Sequence, residues 1–396
     1  MRITKFLIFL LTFILACEKS DDVSSNQEQT NLTSNTQTEE LSENSYDSES
    51  TETNTDQTFS REEMLKFIVN QIIIPAYDDL DSSLGDLKTS FDLFNTDVTE
   101  ENLTDLRNKW LNSYKYWQHV EMYNIGKAME TYFWHKSNIY PVDTTRVNTN
   151  IENASYDLEN PNNYSAQGFP TIEYLLYGLG DDASKNLIEL SDNIKNRDYL
   201  GAIINALIEN TKTVLRDWSS VKDEFITSTE NSASSNLNMM VNDFIYYYEK
   251  NFRANKFGIP GGVFSSSELP DRVEGYFSES FSKELALEGI TSIKNFFNGI
   301  SYKDKDIELK GHCLKSYLDY IESGKEKLLS NEINAKLDIA ENSIKELENN
   351  FASQINSDLT TILRTYDDIQ ATVVLLKVDM LQVLDINVDY ADADGD

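Results

Sequence analysis

The chain is short of cysteine, histidine, proline and positive charge. Only two cysteines, Cys17 and Cys313, occur in 396 residues, so a framework of several disulfides is excluded and stability has to come from core burial. The three histidines, His119, His135 and His312, form no Glu-x-x-His or His-Glu-x-x-His pair, the spacings by which helical bundles and metallopeptidases offer imidazole to a metal. Six prolines and fifteen glycines leave few places to break a helix. After the first 17 residues no stretch approaches the ~20 apolar residues of a membrane span. Lys and Arg number 34 against 67 Asp and Glu, a net charge of −33. Such a surface repels phosphate backbones, which argues against nucleic acid and favours cations or basic patches on other proteins as partners.

What is present begins with a leader. Residues 1–17, MRITKFLIFLLTFILAC, carry Arg2 and Lys5, an apolar run from Phe6 to Ala16, and Cys17. The run suits a signal-peptide core, and Ile14-Leu15-Ala16-Cys17 resembles a bacterial lipobox, which implies acylation of Cys17 and lipid anchoring in the outer membrane. With Cys17 acylated, Cys313 has no disulfide partner. Residues 18–59 are Ser, Thr, Asn, Gln, Glu and Asp almost throughout. That composition predicts a disordered tether with an r.m.s. reach of roughly 35 Å.

From residue 60 the pattern is helical. Ser60 and Glu63 read as a capping box, and Pro75 predicts a kink or a split in the helix that follows. Leu103, Leu106, Trp110, Tyr114 and Trp117 form one stripe of a helix expected over about 99–128. Residues 134–167 read as a long loop, 170–178 as a short helix, and 200–218 and 236–252 as helices. Residues 256–270 read as a turn-rich break. Helices are expected again near 279–298, 309–323, 326–350 and 357–385. Few period-2 runs occur, so the class is all-α. The folded length predicts two helical bundles, 60–230 and 231–396, with a seam near 229–234.

Two carboxylates fall on apolar stripes. Glu121 continues the stripe four residues past Trp117, and His119 falls nearly opposite. Glu173 stands among Phe169, Ile172 and Leu176; with a helix starting at Pro170 it occupies the first turn, where the positive helix end favours its charge. An unpaired buried carboxylate is costly. Each is therefore either satisfied by a donor in the core or faces a cleft that takes a ligand. An all-oxygen site for a hard cation, or ferric iron with Tyr, would use Glu121 and Glu173 as metal ligands.

These segments carry a family likeness. IIIPAYDDL (72–80), WLNSYKYWQHVEMYNIG (110–126), GFPTIEYLLYG (168–178), VEGYFSESFSKELALEGI (273–290) and LLKVDMLQVLDINVDYADADGD (375–396) resemble, in order and spread, the imelysin-like proteins of the bacterial envelope. The resemblance implies a two-domain helical fold, a site where the domains meet, and a link to iron uptake through an envelope transport partner. It also brings a metallopeptidase label, whose hallmark is Gly-x-His-x-x-Glu. Gly168 and Glu173 match that motif, but Pro170 stands at the histidine position and offers no ring nitrogen. The expectation is therefore a lipoprotein that binds an iron species, haem or another small ligand through Glu121, Glu173, Trp117, Gly168 and Asp379. A metallopeptidase, or an adhesion or scaffold protein, is the alternative. The terminal DYADADGD fails as an EF-hand calcium loop: with Gly395 as the invariant glycine, Tyr390 takes the first ligand position.

Overall fold

Pro75 and the helix around it set the plan of the molecule. In the computed structural model the helix does not break there. It runs as α1 (Arg61–Phe67), a π-helical turn (Ile68–Ile73) and α2 (Ile74–Thr96). Ser60 caps α1 by accepting from the Glu63 N–H. Proline has no N–H for the carbonyl four residues back, and that carbonyl, Gln71 O, instead accepts from Tyr302 N at 2.8 Å. The π-turn thus absorbs the proline and ties the first helix to a segment more than two hundred residues away.

The structure describes residues 58–230, 232, 235–303 and 310–388. The leader, Cys17, the tether as far as residue 57 and the terminal DYADADGD lie outside them, as do residues 231, 233 and 234 of the expected seam. Phe59, expected in the disordered tether, instead stacks on Tyr317 with ring centroids 4.7 Å apart. The remaining helices are α3 (Glu100–Trp117), α4 (Lys127–Glu130), α5 (Phe133–Ser137), α6 (Thr144–Asn153), α7 (Gly168–Tyr177), α8 (Ala183–Asp192), α9 (Ile194–Thr227), α10 (Asn236–Tyr246), α11 (Ser282–Asn298), α12 (Leu314–Ile321), α13 (Leu329–Glu346), α14 (Phe351–Ser357), α15 (Leu359–Val374) and α16 (Leu381–Leu384). Two more π-helical segments, Tyr247–Gly258 and Leu375–Met380, continue α10 and α15. Among the described residues there is no strand, only an isolated bridge between Ile300 and Lys310. The class is all-α. No described helix is long and apolar enough to cross a membrane.

α2 packs along α3 and α9, with α7 laid across α3 and α9. α13 pairs with α15, and the Tyr247–Gly258 segment lies against α15 and α11. α11 also touches α3, which joins the two sets of helices. Gln57–Asp396 form one compact unit.

Several elements differ from the sequence expectation. α3 ends at Trp117, not near 128, because the next residues tighten to i→i−3 bonds: Gln118 N to Lys115 O, His119 N to Tyr116 O and Val120 N to Trp117 O. The long loop expected over 134–167 contains the end of α5, α6 and a short 3-10 turn. The helix expected to stop at 252 runs on to Gly258 in π form.

Candidate functional site

The tightened turn after α3 leaves Glu121 on the inner face. Its N–H still bonds Trp117 O at 3.0 Å, one helical turn back, so the carboxylate points with the apolar stripe and is 4% exposed. Oε1 accepts from Trp134 Nε1 at 3.0 Å and from Asn138 Nδ2 at 2.9 Å. Oε2 has no hydrogen-bond partner. The Tyr247 hydroxyl feels the Glu121 charge and approaches its carboxylate within reach of a hydrogen bond, short of a well-formed one. Burial pushes the Glu121 carboxyl above the usual carboxylate range; Lys256 pulls it down and Glu274 pushes it further up.

Glu274 lies beside it, 3% exposed. Asn138 Nδ2 donates to Glu274 Oε1 at 3.0 Å and so bridges the two glutamates, while Gln118 Nε2 donates to the same oxygen at 3.1 Å. Lys256 forms an ion pair with Glu274 Oε2 and donates to Gln118 Oε1 at 2.8 Å. Tyr114 Oη donates to Asn138 Oδ1 at 2.6 Å, which fixes the bridging amide. Burial, and after it the nearby carboxylates, raise the Tyr114, Tyr140 and Tyr247 phenols well above their ordinary value, so these groups stay protonated.

Glu173 is on the adjoining side. α7 starts at Gly168 and not at Pro170, so Glu173 sits in the second turn, away from the helix end. Its partner is instead the Ser278 N–H, which donates to Oε1 at 2.9 Å. Burial raises the Glu173 carboxyl to about 7; the Ser278 hydrogen bonds oppose that rise and the Glu274 charge adds to it. Glu173 lines a pocket of about 110 Å³ with Tyr140, Pro141, Pro170, Tyr276 and Phe277. Tyr140 links this pocket to the Glu121–Glu274 cluster, since both carboxylates oppose its ionisation.

The remaining expected ligands have other positions. Trp117 is fully buried against Phe133 and Phe169, with ring centroids at 5.1 and 5.9 Å, and it does not line the pocket. Gly168 has φ +80°, and a Cβ there would come within 2.3 Å of Ser137 O. The glycine lets the start of α7 close on the end of α5, which seats the next residue, Asn138, between the two glutamates. Asp379 lines a different groove, with Glu322, Lys325 and Gln382, and is not brought to Glu121 or Glu173. His119 does not point away from the core: it is 5% exposed and its Nε2 meets Glu288 Oε2 at 3.0 Å.

Glu274, Lys256, Asn138 and Gln118 were not singled out by the sequence. Lys256 lies where a break was expected, because π-helical winding departs from the 3.6-residue period. Glu274 lies in a turn, where periodicity carries no signal.

Among the described residues no group of three His, Cys, Asp or Glu is arranged to hold a metal ion. Three buried glutamates are balanced by one buried lysine, and Pro170 adds no donor. The donor set at the Gly-x-Pro-x-x-Glu turn therefore does not fit a resident catalytic metal of the usual three-ligand kind.

Solved structures share this architecture. An imelysin-like protein from Psychrobacter arcticum 273-4 superposes with a TM-score of 0.65 at 18% identity, covering 84% of this chain and 99% of that one. A protein described as an iron-regulated protein A precursor, from Parabacteroides distasonis ATCC 8503, gives 0.63 at 14% identity, covering 80% and 94%. At these identities the likeness concerns the fold. No curated protein gives a significant sequence match. The sequence model of the Imelysin family (Peptidase M75) matches residues 73–376, and with that span covering most of the chain, this protein belongs to the imelysin family.

Proposed function

We propose that this chain is an iron-related binding protein of the cell envelope, lipid-anchored in the outer membrane through Cys17, which takes part of a small ligand into the pocket at Glu173. The supporting observation is a fully buried carboxyl held near neutral pKa that lines a pocket otherwise walled mainly by tyrosine, phenylalanine and proline. Near pH 7 such a group switches easily between accepting and donating a hydrogen bond. The iron link draws on the likeness to the Parabacteroides distasonis protein described as iron-regulated.

The ligand is an organic molecule or an organic iron chelate, not a bare ion. A volume of about 110 Å³ is below the ~300–1,000 Å³ of ordinary ligand pockets and admits one end of a ligand, not a haem ring. A metallopeptidase role lacks its donors, as Pro170 replaces the imidazole, and no metal-borne step is assigned.

Calorimetric titration of the full-length protein with ferric citrate, hemin and ferric chloride tests this reading. Ferric citrate should bind, and Glu173→Gln should weaken it at least ten-fold with an unchanged circular dichroism spectrum. Equal affinity of the variant, or no binding of any chelate by the wild type, overturns the assignment.

A further inference from the structure

Residues 273–281 join a short 3-10 turn to α11 as a strap of turns with no regular helix. Its first end is fixed: Glu274 is in the buried cluster, and Ser282 Oγ donates to Glu274 O at 2.7 Å. Its far end enters α11. Its middle is held differently. Tyr276 is 39% exposed, Phe277 rests on the Tyr174 ring with centroids 5.0 Å apart, and the Ser278 N–H reaches Glu173 Oε1 at 2.9 Å. The Ser278 hydroxyl bonds within the strap, to Gly275 O at 3.1 Å.

Two cavities meet at this strap. One is the Glu173 pocket. The other is a groove of about 450 Å³ lined by Arg107, Tyr177, Asp181, Ser278 and Glu279. Tyr276 and Phe277 line both, so these two side chains are the partition. Gly178 stands against the partition; a Cβ there would come within 2.6 Å of the Phe277 ring. Glu279 carries φ +55° without being glycine, a conformation that side chains disfavour and that a released strap can leave.

Resting on the pocket reading above, we propose that strap 273–281 is a gate latched by Glu173: a ligand bearing an N–H or O–H donor takes the Glu173 oxygen from the Ser278 N–H, the middle of the strap lifts on its fixed ends, and pocket and groove become one cleft. The joined cleft reaches the size of an ordinary small-molecule site, with the Glu173 carboxyl at one end and the Arg107 guanidinium at the other. It selects an elongated organic ligand with a donor at its leading end. The closed pocket, at about 110 Å³, is the smaller part of that site.

The latch is tested on the full-length protein without ligand, by hydrogen exchange of the amides of 276–279 at pH 8. Glu173→Leu removes the acceptor, and Ser278→Pro removes the Ser278 N–H and hydroxyl, leaving the lesser contribution of the Phe277 N–H. Each should speed exchange in this stretch at least ten-fold while α3 and α11 keep their protection, and Ser278→Pro decides if the leucine variant does not fold. Glu173→Gln keeps an acceptor oxygen and should stay within three-fold of wild type. Opening is read with Nile red, a neutral dye too large for the closed pocket. Its fluorescence should rise at least three-fold with the two unlatched variants and not with wild type or Glu173→Gln. Unchanged exchange in a folded unlatched variant, or equal dye response in all four proteins, overturns the gate. Exchange that behaves as expected while ferric citrate fails to bind removes the functional reading and leaves the latch standing.

Discussion

Two buried charge clusters hang on one π-helical segment, and they are balanced in opposite ways. At its start, Glu249 is fully buried and faces three cations: Lys377 at 3.2 Å, Lys250 at 3.6 Å and Arg253 at 3.8 Å. Arg253 is itself held by Tyr366 Oη at 2.7 Å and by Gln370. At the far end, among the described residues, Lys256 is the one buried cation facing Glu274 and Glu121, with Glu173 adjoining. A carboxylate with several cations is a fastener between helices. Carboxylates that outnumber their cation, with no well-formed hydrogen bond to Glu121 Oε2 beyond the approach of the Tyr247 hydroxyl, hold polar capacity in reserve. Ligand sites are drawn from arrangements of the second kind.

The contrast is broken most sharply by removing the cation from the short-handed cluster. Lys256→Met leaves Glu274 buried without its ion pair, and losses of about 3–5 kcal/mol are usual for such a change. Urea unfolding at pH 8 should show a destabilisation of that size. Adding Glu274→Gln should recover most of it, since the uncompensated charge then goes too. A Lys256→Met protein as stable as wild type would mean that the cluster carries no net charge at that pH, and the comparison fails.

The same contrast marks what could be read from sequence. The carboxylates of Glu121 and Glu173 were legible because each interrupts an apolar stripe with a 3.6-residue period, a pattern that survives even where α3 tightens after Trp117. The all-helical class was legible from scarce glycine and proline. Lys256 was not, because π winding hides it from a 3.6-residue search. Glu274 was not, because a turn has no period. Asp379 was placed at the site on the likeness of its segment to the family and lies elsewhere, and Gly168 proved to be a close-packing position. Long-range pairing of Lys256 with Glu274 and Gln118 is a property of the tertiary fold, and no local pattern encodes it.

Glu173 sharpens the contrast through pH. Its folded value, near 7, is above that of an exposed carboxyl, so between about pH 4.5 and 7 the native state holds more protons than the unfolded one. Stability must then fall as pH rises through this window and level off above it. A rise of that size corresponds to about 3 kcal/mol. Glu173→Gln should remove the Glu173 part of this dependence in urea unfolding followed from pH 4.5 to 8, leaving the part due to Glu121, whose carboxyl is raised as well. A variant with the wild-type pH profile would show that Glu173 titrates alike in both states.

The smallest effect is expected where cations are in excess. Lys377→Met removes one of three cations from Glu249, and Lys250 and Arg253 remain. Lys377 keeps some contact with solvent, with 17% of its side chain exposed, so its loss does not leave the Glu249 carboxylate without a counter-charge. Unfolding at pH 8 should therefore change by less than the roughly 3–5 kcal/mol expected for an uncompensated buried charge, and the methionine still covers the apolar surface that the lysine stem covered. The result bears directly on function. If Lys377→Met costs as much as Lys256→Met, then both clusters are equally dependent on each cation, the excess around Glu249 is only apparent, and charge balance no longer distinguishes a fastener from a ligand site in this molecule.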